Sequence, residues 1–257
     1  MTEDQPQDSA LSLVAIGVLA YSLADVAHHV LGHGLACLAL GGSVRSLTSV
    51  RVDCTLTGPA IDIAGPLANL AIGLAGLVVL GSQRSAAVGT RVFLALLAAF
   101  NLLWFAAQLG FDAATMTDDW AVPLRSWAPA TNVRWILAAL AALLYLATIW
   151  LMATRLTGFD ASRMRRIVRS AYAAGGATAC FVAAFDPHPL SAIFNHAAPQ
   201  SFVAAIGLLL VPRFVRPASM WGIARGVPLS IAWILAALVA LMASIVYLGP
   251  GFKVFDW

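Results

Sequence analysis

The sequence predicts an all-α integral membrane helix bundle of six to seven transmembrane helices, with a short β element after the first helix. Two features of the composition indicate this class: 61% of the 257 residues are hydrophobic, and only 11% are charged. Soluble domains usually carry about 25% charged and 45–50% apolar residues. The third observation is that apolar runs of membrane-spanning length recur along the whole chain.

About 20 apolar residues cross the hydrocarbon core of a bilayer. The runs that reach or approach this length lie at residues 11–41, 60–81, 91–111, 132–153, 168–185, 198–212 and 227–249, and the run at 198–212 is the weakest. Between the first two runs, residues 43–57 are rich in Val, Thr and Ser and partly alternate, which predicts a short strand or hairpin.

The chain outside these runs is short. Residues 1–10 form a polar N-terminal tail that carries acidic but no basic residues, so we expect no cleaved signal peptide. Residues 11–257 are predicted to form a single polytopic membrane domain. All basic residues except Lys253 are arginines, a bias typical of GC-rich bacterial genomes, so we expect a multi-pass protein of a bacterial cytoplasmic membrane.

The charges also restrict the partners and the orientation. The net charge is only +3, and the arginines lie in short loops without interleaved aromatic residues, so nucleic-acid binding is excluded and the lipid bilayer is the expected environment. With seven spans and a cytoplasmic N-terminus, ten basic residues face the cytoplasm and five face the opposite side. The end of the first span and the loops at 112–131 and 186–199 then share the non-cytoplasmic side.

Three of the five histidines lie in the first span, as His28, His29 and His33. Ionisable residues at membrane depth are costly and usually functional. His29 and His33 are four residues apart and share one face of an α-helix, which is half of a typical helical zinc site. Asp25 lies one turn earlier, where it can hold the distal nitrogen of His29. The alternative is a histidine pair hydrogen-bonded to neighbouring groups without a metal.

Other polar residues can converge on the same end of the bundle. Asn101, Gln108 and Asp112 form a stripe along the third span that should face the bundle interior. Asn69 in the second span joins Asn101 and Gln108 as a residue for substrate contact or interhelical packing. In the loop at 186–199, His196 is either a further metal ligand or part of an interfacial loop that meets lipid headgroups.

Several motifs resemble one family. The stretch HVLGHGLACLALGG (29–42) resembles the HELGHALAALLLGG signature of the M50 (site-2 protease-like) intramembrane zinc metalloproteases. GGSVRSLTSV (41–50) is similar to the short strand that follows this signature, and AGPLANL (64–70) looks like the GPxxN helix of the family. FNLL (100–103) resembles the FNLLP start of a third segment, and TDDWA (117–121) is similar to a GDWA element of M50-like membrane proteins.

The resemblance covers less than half of the chain and has definite implications. It implies an M50-like core over about residues 11–121, to which further helices are added at about 132–249. It also implies a bound Zn²⁺ on His29 and His33, with Asp119 of the DW element as the third ligand. Weaker alternatives as ligands are His28, Asp112, Asp118 and His196.

The sequence departs from the family at two positions. The catalytic Glu of the family follows the first histidine, and here Val30 stands there; the only Glu of the chain is Glu3, in the tail. Without a carboxylate at that point, a zinc-bound water lacks its general base. The candidate replacements are Asp25 and the acids of the 112–119 loop. The NPDG-type motif that supplies the third ligand is also absent, because Asn101 is followed by Leu-Leu-Trp.

Three hypotheses for the function follow. The first is a non-proteolytic or atypical metalloprotease homologue that binds a metal at the intramembrane HxxxH site and acts on a membrane-protein partner or a transmembrane substrate. The second is an active intramembrane zinc metalloprotease that uses a displaced Asp as general base. The third is a channel or transporter for a small solute or a metal ion. The three cysteines show no CxxC spacing and are interpreted as small apolar packing residues.

Overall fold

The computed structural model describes residues 8–83, 86–127, 131–156, 159, 161–215 and 226–252. Most of the predicted tail lies outside these ranges. So do four of the basic residues counted for the orientation, which are Arg84, Arg216, Arg225 and Lys253.

The described residues form eight helices and one two-stranded hairpin. The helices are α1 (Ala10–Ala39), α2 (Pro59–Ser82), α3 (Val88–Thr115), α4 (Ala121–Trp127), α5 (Thr131–Arg155), α6 (Ala161–Ala183), α7 (Pro189–Arg213) and α8 (Ile231–Leu248), and the strands are β1 (Val44–Leu47) and β2 (Val52–Cys54). All but α4 and α6 are long and apolar enough to cross a bilayer. The chain is therefore an all-α polytopic membrane bundle with a short β element, as predicted.

Two predicted segments differ from the structure. The predicted span at 168–185 falls in α6, which begins at Ala161 with several arginines and is not among the six apolar helices. The prediction of a loop at 186–199 is wrong, because α7 already begins at Pro189. The carboxylate of Asp186 accepts a hydrogen bond from the His188 N–H (2.8 Å), and a proline in the first helical turn starts a helix without losing a hydrogen bond.

The centre of the bundle is α3. In its most apolar stretch 78% of the residues are buried, against 17% in α8, so α3 is surrounded by protein and α8 faces lipid on most sides. From α3, Phe100 and Trp104 pack against Tyr21 of α1, with ring centroids 5.7 and 6.3 Å from the tyrosine ring. This contact fixes the position of α1 across the core.

The start of α1 is tied to two distant segments. The hydroxyl of Ser9 accepts a hydrogen bond from the Ser12 N–H at the helix N-terminus (3.3 Å). Just before it, the buried carboxylate of Asp8 accepts two hydrogen bonds of 2.7 Å from Arg163 of α6, and a third from the Val227 N–H. A bidentate Arg–carboxylate pair has a defined geometry, so it sets the register of α1 against α6.

The hairpin lies directly after α1 and is joined to it covalently. Strands β1 and β2 are antiparallel, with Leu47 opposite Val52. Cys37 near the end of α1 and Cys54 of β2 form a disulfide, with their Cα atoms 6.0 Å apart. The interpretation of all three cysteines as apolar packing residues is therefore wrong for these two, and Cys180 remains a free thiol.

Candidate metal centre

A local widening of α1 determines which histidines meet. Residues Ala27–Gly34 form a π-helical segment, in which the Leu35 N–H donates to the carbonyl of Val30, five residues earlier. Such segments are rare and are often found at functional sites. Because the hydrogen bonds join residues five apart, His28 and His33 lie on the same face of α1.

Close contact with α2 accompanies this widening. A Cβ atom at Gly32 would overlap the backbone of Gly65 and lie 2.7 Å from the carbonyl oxygen of Ala64, so only glycine allows the two helices to approach this far. At the same crossing, the Nδ1 of His33 lies 2.8 Å from the carbonyl oxygen of Ile61. The segment that carries the histidines is thus held by α2.

Three side chains meet at one point. The Oδ2 atom of Asp119 lies 3.0 Å from Nε2 of His28 and 3.1 Å from Nε2 of His33, and the two nitrogens are 3.2 Å apart. A tetrahedral ion with metal–ligand bonds of 2.0–2.2 Å places neighbouring ligand atoms about 3.3–3.6 Å apart. The three ligand atoms of His28, His33 and Asp119 lie a few tenths of an ångström closer than that, so small side-chain shifts fit them around a single metal ion.

The second nitrogen of each histidine also has a partner. The Nδ1–H of His33 donates to the Ile61 carbonyl, which leaves the lone pair of its Nε2 free for a metal. Nδ1 of His28 is 3.3 Å from the side-chain nitrogen Nδ2 of Asn69, and the oxygen of the same amide is buried without a partner. With that oxygen turned towards His28, it accepts the Nδ1–H and gives His28 the same tautomer as His33.

Asp119 comes from the turn between α3 and α4. Asp118 has a left-handed backbone conformation (φ 62°), which Asp tolerates better than most residues. The Gln108 amide donates to Oδ2 of Asp119 (2.8 Å), and the Asp112 carboxylate accepts from the Trp120 N–H (3.0 Å). Asp112 thus holds the turn that presents Asp119.

The two acids of this turn differ in their electrostatics. Burial by itself raises the pKa of Asp119, but the interactions of its carboxylate with His28 and His33 outweigh it and hold the pKa below its usual value. Burial raises the pKa of Asp118, and the neighbouring charge of Asp119 raises it further. Asp119 is therefore the carboxylate that stays ionised, as a metal ligand must be.

A tryptophan covers the centre from the side of α3. The indole of Trp104 stacks on the ring of His28, with centroids 4.6 Å apart and an angle of 11° between the planes. No pattern in the sequence predicts this contact, although Trp104 directly follows the FNLL motif. Its position restricts the ring of His28 to one plane.

On the other side, the centre opens into a cavity of about 170 Å³. The wall of this cavity includes the tip of the hairpin with Arg51, the carboxylate of Asp62 and the ring of His196 from α7. Neither Arg51 nor Asp62 was predicted, because nothing in their local sequence connects them to the histidines. The cavity gives a fourth coordination position room for water or a substrate.

His29 and Asp25, predicted in the first span as a ligand and as a candidate base, are not part of this group. His29 is not one of the three convergent ligands; its Nδ1 is 3.1 Å from Oδ1 of Asp25, and its ring lines the cavity. Asp25 lies behind His29 and borders a separate small polar cavity. Val30 packs with Cys37 and Val44 on the hairpin side, away from the centre.

The remaining predicted residues are distributed around the centre. Asn69 and Gln108 contact the histidine and the carboxylate described above, and Asp118 and His196 line the cavity. Asn101 donates to the carbonyl of Leu97 in its own helix and takes no part in the group. No protein-family model, curated protein or solved structure matches this chain.

Proposed function

We propose that this protein is a membrane-embedded metalloprotein in which His28, His33 and Asp119 bind one Zn²⁺. The observation that carries the proposal is the mutual spacing of the three ligand atoms, 3.0–3.2 Å. Burial of both imidazoles supports it, since buried polar groups of this kind are expected to have a partner that satisfies them. The proposal is further supported by the partners of the two Nδ1 atoms, Ile61 and Asn69, because they orient each Nε2 atom towards the centre.

The site has the form of a catalytic zinc site rather than a structural one. Structural zinc sites are closed by four protein ligands, whereas catalytic sites have three and leave one position open. Among the described residues three ligands converge, and the open side faces the cavity. A Zn²⁺ held there would polarise a carbonyl and favour ionisation of water, so we assign the protein to metal-dependent hydrolysis.

His29 is the side chain placed to handle the proton. Its ring lines the cavity, and the Asp25 carboxylate fixes its Nδ1–H, which leaves Nε2 as the acceptor. During hydrolysis the water oxygen forms a bond to the carbonyl carbon while His29 takes its proton. The bond to the leaving group then breaks with its electron pair, and the leaving group takes the proton from His29.

This assignment changes which residues of the chain correspond to the histidine motif of the M50 family. With His28 as the first ligand, the residue that follows it is His29, so the position of the missing Glu is occupied by an imidazole. The additional residue between the two ligands corresponds to the π-helical segment. The proposal is thus an atypical M50-like metalloprotein whose proton acceptor is His29, and Val30 has no part in the chemistry.

The test is the metal content of the full-length protein purified in detergent and loaded with Zn²⁺. We expect one zinc per chain in the wild type, near-zero zinc in His28→Ala, His33→Ala and Asp119→Ala, and unchanged zinc in His29→Ala. Helical circular dichroism confirms that each variant is folded. Zinc-free wild type after loading would overturn the proposal, and so would loss of zinc in His29→Ala with retention in His28→Ala.

Val30→Glu distinguishes the two registers. If His29 and His33 were the ligands, a Glu at position 30 would restore the family's base and create or raise hydrolytic activity. In the register proposed here, the new carboxylate lies among Cys37, Val44 and Leu47 and only destabilises the hairpin contact. The measurement is hydrolysis of a transmembrane peptide by zinc-loaded wild type and variant, and a gain of cleavage would contradict the proposal.

A further inference from the structure

A second, larger cavity adjoins the metal centre. It has a volume of about 370 Å³ and lies between α3 and α7. Asp118 and Gln200 line both this cavity and the one at the metal centre. The two spaces are therefore neighbours, and a molecule in the larger one can extend a group towards the metal.

The larger cavity has an apolar end and a polar end. Its apolar wall includes Trp104, Ala107, Phe111, Pro199 and Val203. Phe111 and Val203 are also 60% and 66% exposed on the outer surface of their helices, and these helices cross the bilayer. The apolar end is thus flanked by lipid-facing side chains, and the bilayer is the phase next to its entrance.

The polar end carries hydrogen-bond acceptors that lack donors. The amide nitrogen of Gln108 is engaged by Asp118 and Asp119, so its oxygen points elsewhere; this oxygen is buried and has no partner. The oxygen of Gln200 is also buried without a partner. Buried acceptors of this kind are costly unless a donor reaches them, so the occupant should bring an N–H or O–H group to this end.

The cavity of about 370 Å³ is not closed, since Phe111 and Val203 of its apolar wall are also exposed on the outer surface. Its occupant can therefore extend from it into the surrounding lipid, as a long flexible chain does. An extended peptide would bring unpaired backbone groups against the apolar wall, which is costly within a membrane. An acyl chain brings none.

We infer that the larger cavity binds the acyl chain of a single-chain membrane amphiphile, whose amide or hydroxyl group faces Gln108 and Gln200. This inference rests on the proposed hydrolytic centre and gives it a substrate class, acyl amides or acyl esters taken from the bilayer. The acyl carbonyl then lies at the junction of the two cavities, where Asp118 and Gln200 border the metal site.

The test is photolabelling of the zinc-loaded full-length protein in nanodiscs with an N-palmitoyl amide that carries a diazirine in its chain. We expect labelled residues on α3 and α7 around Phe111 and Val203. Ala107→Phe fills the cavity and should lower labelling about ten-fold. The matched control is Ala139→Phe, which changes an exposed alanine of α5 and should leave labelling unchanged.

The outcomes separate this inference from the proposed function. Labels confined to outward positions such as Val239 would overturn it even if Ala107→Phe did not fold, because that mapping uses the wild type. Displacement of the probe by an apolar peptide, but not by unlabelled palmitoyl amide, would overturn it in favour of a peptide. Labelling of the cavity in a protein that binds no zinc would support the acyl site while the hydrolytic centre fails.

Discussion

Two π-helical segments, one in α1 (Ala27–Gly34) and one in α7 (Ala192–Ala197), contribute histidines to the cavity at the candidate metal centre. Each carries histidine, but the surroundings differ. In α1, the Nδ1 atoms of His28 and His33 both contact groups of α2, the Asn69 amide and the Ile61 carbonyl. In α7, within the described part of the chain, neither ring nitrogen of His196 has a hydrogen-bond partner.

The two segments also have different causes. The segment in α1 lies where Gly32 meets Gly65 of α2, so tertiary packing accompanies the wide turn. The one in α7 is followed by Pro199, which has no N–H to continue a regular ladder. The wide turn whose side chains are held by a neighbouring helix thus forms the candidate metal site. The wide turn next to a proline contributes only a side chain that lines the cavity.

The largest effect on zinc binding is expected from Gly65→Ala. The added methyl group would overlap the ring of His33, whose Cε1 and Cδ2 atoms lie 2.7 and 2.8 Å from the position of a Cβ atom. We expect loss of zinc binding and destabilisation of about 1–3 kcal/mol. Gly76→Ala on the same helix is the control, because its nearest neighbour is 3.3 Å away. Normal zinc content in Gly65→Ala would show that α2 does not constrain His33.

The disulfide is expected to stabilise the end of the α1 segment. It closes a loop across a separation of 17 residues. Removing a disulfide that closes a loop of this length lowers the free energy of unfolding by about 3 kcal/mol. Cys37→Ser and Cys54→Ser should each lower the thermal midpoint in detergent, and reducing agent should do the same to the wild type. Cys180→Ser, which changes the free thiol, should leave the midpoint unchanged. An equal midpoint in all variants would contradict the stabilising role.

A smaller effect is expected from Asn69→Leu, which removes the group behind His28. Loss of such a partner typically weakens metal binding about 10–100-fold. A competition titration against a zinc chelator measures the change in Kd. Asn101→Leu is the matched control, since that amide is equally buried but bonds only within its own helix. Equal zinc affinities in the two variants would rule out the role assigned to Asn69.

The smallest effect is expected from His196→Ala. Because no hydrogen bond among the described residues orients the His196 ring, we expect the zinc Kd to change by no more than about two-fold. This is within the range of ordinary surface substitutions. The same chelator titration measures it. A loss as large as that of His33→Ala would show that the α7 segment contributes a ligand and that the two segments are equivalent.

The bundle could be predicted from the sequence, because hydropathy depends only on composition within each run. The hairpin was also predicted, from the Val- and Thr-rich stretch after α1. The loop prediction before α7 was wrong, because prolines and polar residues at 186–199 are typical of turns and also of the first turn of a helix. The disulfide was not predicted, since its two cysteines belong to separate elements.

For the metal centre, the residue types were predicted but their grouping was not. A periodicity of 3.6 residues per turn pairs His29 with His33, whereas the π-helical segment pairs His28 with His33. The widening occurs at the contact of Gly32 with α2, which no local pattern shows. Asp119 was selected through the resemblance of the DW element, and the structure brings this residue to the two imidazoles.

The disulfide between Cys37 and Cys54 bears on which side of the membrane the candidate centre opens to. Such bonds form and persist in oxidising compartments and are rare in the reducing cytosol. We therefore expect the hairpin and the cavity mouth beside it to face the non-cytosolic side. A metal bound at the proposed centre would then enter the folded protein from outside the cytosol.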